Sequence, residues 1–203
     1  MKNSIPHGWG YLKLGQVLTE HGTLSSGIEE VCSVSVHKGV VNQRQHLGRV
    51  YAAANTSNYN LVKPGDIVYT KSPTGDFPFG IIKQSLMPHN VIVSPLYGVF
   101  TPASFELGTI IDCYFESAVN ASNYLRPIIH KGAKNTINVT NETFLSGLLL
   151  LPLERKEQIV IAKIISAKRR EIDLLEQIKE KQIQLKKGLM QQLLTGKIRA
   201  RAG

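Results

Sequence analysis

The side chains in this chain that could do chemistry are scattered, and few stand at a catalytic spacing. The six histidines, His7, His21, His37, His46, His89 and His130, form neither an HxH pair nor an HExxH helix motif, so no metal site is expected. Cys32 and Cys113 are the only cysteines and are far apart, which makes neither a zinc spacing nor a CxxC. Both are expected as reduced core residues. No GxxxxGK[ST] phosphate loop is present, and no G-x-G-x-x-G stands between a strand and a helix. A metal-dependent nuclease would need an acid followed by an acid-x-Lys on one sheet edge. Asp66 with Tyr69-Thr70-Lys71 imitates this only faintly, because Tyr69 stands where the second acid belongs. Catalytic residues and metal ligands are therefore expected to be absent.

The chain does carry polar and basic loops. His37-Lys38-Gly39 leads to Asn42-Gln43-Arg44-Gln45-His46, with Arg49 beyond. Lys71-Ser72-Pro73-Thr74-Gly75 is a second loop, and Lys131, Lys134 and Asn135 mark a third. These side-chain types hold phosphates and read base edges, and they are equally at home on a hydrated surface. The net charge of +9 suits a polyanionic partner. From Glu154 onward there are 13 Lys/Arg against 6 Asp/Glu, and before it 11 against 9, so most of the excess lies in the tail.

These loops need a scaffold, and the sequence divides into two parts. Residues 1–150 read as an α+β (mixed α/β) globular domain. Strands are expected at Val31–Val36, Asp66–Thr70, Gly80–Ile82, Asn90–Val93 and Thr109–Tyr114, bounded by turns such as Lys63-Pro64-Gly65-Asp66. Short helices are expected within Gly10–Glu20, and at Thr101–Phe105, Ser117–Leu125 and Asn141–Leu148.

Residues 151–203 change character. After Pro152 there is no proline, and helix formers dominate. A single helix is expected over about 153–194, roughly 60 Å long at 1.5 Å per residue, ending at Gly196. Ile161, Ile165, Ile172, Leu175, Ile178, Leu185, Leu189 and Leu193 are spaced by 4, 7, 3, 3, 7, 4 and 4, so they share one apolar stripe. A body of ~150 residues is about 35 Å across, so much of such a stripe is left for another helix. Acidic Glu171, Asp173, Glu176 and Glu180 interrupt the basic residues, and no Trp or Phe anchors the stripe, which argues against a membrane surface. No apolar run reaches transmembrane length, and MKNSIPHGWGYLKLG lacks an apolar h-region. A cytoplasmic protein is expected.

The segment Leu151-Pro152-Leu153-Glu154-Arg155-Lys156-Glu157-Gln158-Ile159-Val160-Ile161-Ala162-Lys163-Ile164-Ile165 resembles the opening of the conserved helix in specificity subunits of type I restriction–modification systems. The stretch LKKGLMQQLLTGK, Leu185 to Lys197, is similar to that helix's end. Ile5-Pro6-His7-Gly8-Trp9 resembles the start of a target recognition domain, and Val62–Tyr69 and Val93–Phe100 resemble two of its strands. Full-length subunits of that family carry two recognition domains and two helices, whereas this chain has one of each. The resemblance implies half a specificity subunit, which would pair with a second copy as an antiparallel coiled coil and read two inverted half-sites in double-stranded DNA. It also implies DNA methyltransferase (modification) subunits and a restriction subunit as partners. S-adenosylmethionine, ATP and Mg would be bound by those partners, with no cofactor on this chain.

On that reading, Lys38, Arg44, Arg49, Lys71 and Lys131 are the expected phosphate or guanine contacts, and Gln43, His46, Ser72 and Thr74 the expected readers of base edges. Ile161, Ile165, Ile172, Leu175, Ile178, Leu185, Leu189 and Leu193 are the expected dimer interface. The alternative is an interaction protein that pairs with a full-length specificity or modification subunit and regulates it without reading DNA.

Overall fold

A computed structural model of the chain describes residues 5–44, 55–129 and 139–200. The chain divides into two compact units, residues 1–162 and 163–203. The fold is mixed α+β with a long C-terminal helix, as expected.

Three sheets build the first unit. Strands β2 (Leu18–Glu20), β9 (Gly98–Pro102), β6 (Ile67–Tyr69) and β7 (Ile82–Gln84) form an antiparallel sheet in the order β2-β9-β6-β7. A second sheet has the order β4-β3-β8-β5, with β3 (Glu30–Ser35), β4 (Gly39–Asn42), β5 (Asn60–Val62) and β8 (Val91–Val93). Here β3 runs parallel to β8, and the other pairs are antiparallel. The third is a ribbon of β1 (Trp9–Lys13) and β10 (Leu148–Pro152). Strands β6, β7 and β8 are buried along their whole length. Both their faces are covered, which explains why Ile67-Val68-Tyr69 and Val91-Ile92-Val93 read as continuous apolar runs without polar alternation.

Several expectations about local structure need correcting. Thr109–Tyr114 is not a strand but part of helix α1 (Phe105–Phe115). Ser104 caps it by accepting from the Leu107 amide at 3.1 Å, and Glu106 lies in its first turn. Buried Leu107, Ile110, Ile111 and Phe115 follow the helical period, which outweighs the β-branched residues between them. Gly108 lets α1 approach β7, since a Cβ there would stand 2.5 Å from Gln84 Nε2. Gly10–Glu20 holds β1, one 3-10 turn at Leu14–Gln16, and β2 rather than an α-helix. β1 finds its partner β10 more than a hundred residues away, a pairing invisible to local pattern. Thr101–Phe105 closes β9 and supplies the cap of α1. Strand β7 begins at Ile82, where the expected Gly80–Ile82 run ends. Cys32 is buried as expected, and burial pushes its thiol up to about 12, whereas Cys113 on α1 is only half-buried.

Helices α2 (Ala118–Leu125) and α3 (Asn141–Ser146) agree with expectation. Phe144 of α3 is fully buried and stacks within 4.8 Å of Tyr69 and 5.2 Å of Phe100, ring centre to ring centre. Phe115 and Tyr124 extend this aromatic core edge to face at 5.1 Å.

Helix α4 spans Arg155–Leu194, 40 residues, close to the expected 153–194. Its first turns root in the body. Trp9 Nε1 donates to Glu157 (2.9 Å), Gln158 donates to the Pro152 carbonyl (2.9 Å), and Arg155 pairs with Glu106 (2.7 Å). The Leu153 amide donates to the Gly8 carbonyl at 2.8 Å, so the Gly8-Trp9 motif and the Leu151–Glu157 motif meet in space. In the second unit the helix ends at Gly196, whose left-handed backbone (φ +73°) turns its amide back to the Leu193 carbonyl. No helix among the described residues is long and apolar enough to cross a membrane.

Candidate nucleic-acid interface

The turn between β3 and β4 presents His37 and Lys38 outward. It is held by the Ser35–Gly39 pairing, by the Lys38 amide donating to Ser35 Oγ (3.3 Å), and by the positive φ of Gly39. Gln43 and Arg44 follow β4, with Gln43 half-buried and Arg44 exposed. His46, Arg49 and Lys131 lie outside the described residues.

The second loop is more rigidly built. Thr74 and Phe77 exchange two backbone hydrogen bonds of 3.0 Å, and Phe77 is buried as the anchor. Lys71 adopts a left-handed φ of 59°, a conformation costly for a side-chain-bearing residue. Gly80 packs against it so closely that a Cβ would stand 2.7 Å from the Lys71 amide nitrogen. Lys71 is half-buried. Desolvation lowers its pKa from the usual lysine value, and the nearby Glu20 charge opposes this. Ser72 and Thr74 are exposed at the tip.

The fold brings these two loops to the walls of one cleft. Val36 and His37 come from the β3–β4 turn, Asp76 and Phe77 from the second loop, and Lys83 and Glu116 also line its volume of about 410 Å³. Lys38, Gln43, Arg44, Lys71, Ser72 and Thr74 do not themselves line it: Lys38 follows His37 in the turn, and Ser72 and Thr74 precede Asp76 in the second loop. Sequence reading missed Lys83, which is nearly buried with its ammonium 3.8 Å from Glu116. Its signal was present: a lone charge inside the strand Ile82-Lys83-Gln84 needs a carboxylate close by.

The faint nuclease pattern dissolves in three dimensions. Asp66 is 1% exposed, and both its oxygens are engaged. Thr101 Oγ1 donates to one at 2.7 Å, and the Lys63 amide (2.8 Å) and His21 Nε2 (3.0 Å) approach the other. The Thr23 amide donates to His21 Nδ1, which assigns the proton to Nε2 and makes His21 a donor to Asp66. The type II turn Lys63-Pro64-Gly65-Asp66, with φ +91° at Gly65, is thus pinned by its own aspartate. The Tyr69 hydroxyl is spent on the Phe79 carbonyl (2.7 Å). Among the described residues no three His, Cys, Asp or Glu stand close enough to hold a metal ion.

Along α4, Ile161 and Ile165 are half-buried, whereas Ile172, Leu175, Ile178, Leu185, Leu189 and Leu193 are 45–58% exposed. That is an apolar stripe, broken by polar residues in its two seven-residue gaps, and from Ile172 onward it is without a cover in its own unit.

No family model matches this chain, and no curated protein does. Solved structures do. The HsdS subunit from Thermoanaerobacter tengcongensis is 12% identical and superposes with a TM-score of 0.51 over 87% of this chain and 41% of its own. The type I restriction–modification S subunit from M. genitalium is 11% identical, with a TM-score of 0.54 over 95% of this chain and 46% of its own. A chain from a structure addressing complex assembly and conformational transition of a type I restriction–modification system is 16% identical, with a TM-score of 0.59 over 98% and 52%. This chain therefore spans about half the length of the structures it matches, and over that span it has the fold of a type I restriction–modification specificity subunit.

Proposed function

We propose that this chain is the DNA sequence-specificity component of a type I restriction–modification complex, working in the cytoplasm as a pair of copies joined through α4. The observation that supports the reading is the likeness of 87–98% of this chain to 41–52% of specificity-subunit structures. The uncovered stripe on α4 supports the pairing. The body would read one half-site with the Lys38 turn, the Gln43–Arg44 segment and the Lys71–Thr74 loop, and the paired helices would set the distance between half-sites. The chain itself would be non-catalytic. Modification subunits would supply S-adenosylmethionine and adenine methylation, and a restriction subunit would supply ATP- and Mg-dependent cleavage.

Methylation profiling of DNA from cells that express this chain with its modification subunit tests the proposal. The expected product is adenine methylation at a bipartite motif whose halves are inverted copies. If methylation appears only when a full-length specificity subunit is also present, and carries that subunit's motif, the chain is a regulator that does not read DNA. Absence of any new methylation with both proteins present and assembled would sink the recognition role.

A further inference from the structure

The order of polar and apolar residues along α4 contains a symmetry that the bare fact of a stripe does not require. Outward from Leu175 toward the N-terminus, the apolar positions fall at steps of 3, 7 and 4, giving Ile172, Ile165 and Ile161. Toward the C-terminus they fall at the same steps, giving Ile178, Leu185 and Leu189. Each seven-residue step passes over one polar residue in line with the stripe. These are Lys168 on one side and Gln182 on the other, both seven residues from Leu175. From Ile161 to Leu189 the seam is a palindrome in spacing, with its centre at Leu175, and Leu193 extends it at one end.

We infer that α4 is built to pair with a second copy of itself, antiparallel, in a single register whose two-fold axis passes at Leu175. This rests on the pairing put forward above and adds the register to it. In an antiparallel pair centred there, residues equally far from Leu175 lie level on the two chains. Ile172 then meets the partner's Ile178, Ile165 meets the partner's Leu185, and Ile161 meets the partner's Leu189. Leu175 meets its own copy. Lys168 lies level with the partner's Gln182, so the two polar interruptions of the stripe coincide and the ammonium finds an amide oxygen. Glu171, which already holds Lys168 at 2.6 Å within its chain, lies level with the partner's Lys179.

Charge and polarity choose this register over its neighbours. A slip of seven residues in one direction puts Lys168 level with the partner's Leu175, and in the other with the partner's Leu189. Either slip sets the Lys168 ammonium against leucine and removes the Gln182 amide, leaving Glu171 of its own chain as its acceptor, which is less favourable. A single polar position within an apolar seam is a known way for helices to fix register. The overlap from Ile161 to Leu189 is about 42 Å long at 1.5 Å per residue.

Single cysteines at 168, 172, 175, 178 and 182, oxidised at native concentration with the unmodified chain as blank, test the register. A disulfide needs Cα atoms within about 7 Å. Leu175→Cys satisfies this with its own copy and is expected to give the highest yield of covalent dimer. Ile172→Cys is offset from its copy by about 9 Å along the axis. It should link poorly to itself and well to Ile178→Cys in mixed samples. Lys168→Glu should weaken pairing at least tenfold and Gln182→Lys in the same chain restore it, a readout independent of cysteine. Light scattering on the unmodified chain separates the two layers of the idea. A monomer overturns both pairing and register. A dimer whose yield peaks elsewhere, or is equal at every seam position as in a parallel pair, overturns the register and leaves the pairing standing.

Discussion

The double substitution Leu175→Glu with Leu189→Glu addresses the pairing most directly. In the single chain these leucines are 58% and 46% exposed, so roughly half of each side chain awaits cover. Full burial of a leucine stabilises by about 1.5–3 kcal/mol. Covering the remaining half contributes about 0.75–1.5 kcal/mol per leucine on that scale. Two leucines from each chain amount to about 3–6 kcal/mol in the dimer. At about 1.4 kcal/mol per tenfold, their loss weakens association by about 10²- to 10⁴-fold, before any cost of placing carboxylates in the seam. Glutamate and leucine have similar helix propensity, so the helix itself should persist. Sedimentation equilibrium over a range of concentrations reads the association constant, and circular dichroism reports the helix. A double variant that keeps the parent's helicity and associates as tightly as the parent would refute the stripe as interface.

Four further expectations follow from particular contacts. Lys38→Ala and Lys71→Ala should each weaken DNA binding across sequences and reduce the slope of log K against log salt by about 0.9, measured by fluorescence anisotropy at several salt concentrations; an unchanged slope removes that lysine from the phosphate contacts. Asp66→Ala strips the acceptor from the Lys63 amide, the Thr101 hydroxyl and His21, and should cost about 3–5 kcal/mol in denaturant unfolding, with Asp66→Asn milder because its amide can still accept; equal stability of the alanine variant and the parent contradicts the structural role. Glu29 is held at a pKa of about 2 against an ordinary 4.5 chiefly by its hydrogen bond with Ser26. A lowered folded pKa means that its contribution is present above pH 4.5 and is lost as pH falls toward 2, so Glu29→Gln should flatten that stretch of the stability–pH curve. Gly188 sits in mid-helix with nothing within 4 Å of a Cβ, so Gly188→Ala should raise helix stability by about 1 kcal/mol in thermal melts; a loss of pairing instead would mean that a second backbone passes close by there.

The parts of this architecture that were legible in the sequence are those set by short-range rules. The long helix announced itself through its period, the absence of proline after Pro152, and Gly196 at its end. The Lys63–Asp66 turn announced itself through Pro64 and Gly65. Thr109, Ile110 and Ile111 have β-branched side chains and read locally as a strand, while the cap at Ser104 and burial against β7 make helix α1. Strand β1 was hidden because its partner arrives only at Leu148–Pro152. The meeting of the Lys38 turn with the Lys71–Asp76 loop at one cleft depends on the order of strands in two sheets. No local pattern encodes that order, so loop chemistry could be named in advance and its convergence could not.

The Leu153-to-Gly8 hydrogen bond and the β1–β10 ribbon have a further consequence. The chain enters the body at Gly8 and leaves it at Leu153 through neighbouring points. The intervening body is therefore a closed cassette, with both joints on one short ribbon beside Trp9 and Glu157. Exchange between related genes at those two joints would replace the body and its loops, Trp9 included, while leaving the helix and Glu157 in place, so the clasp is kept wherever the incoming body also carries a tryptophan at that position. One crossover pair could change what is read without changing what it is attached to.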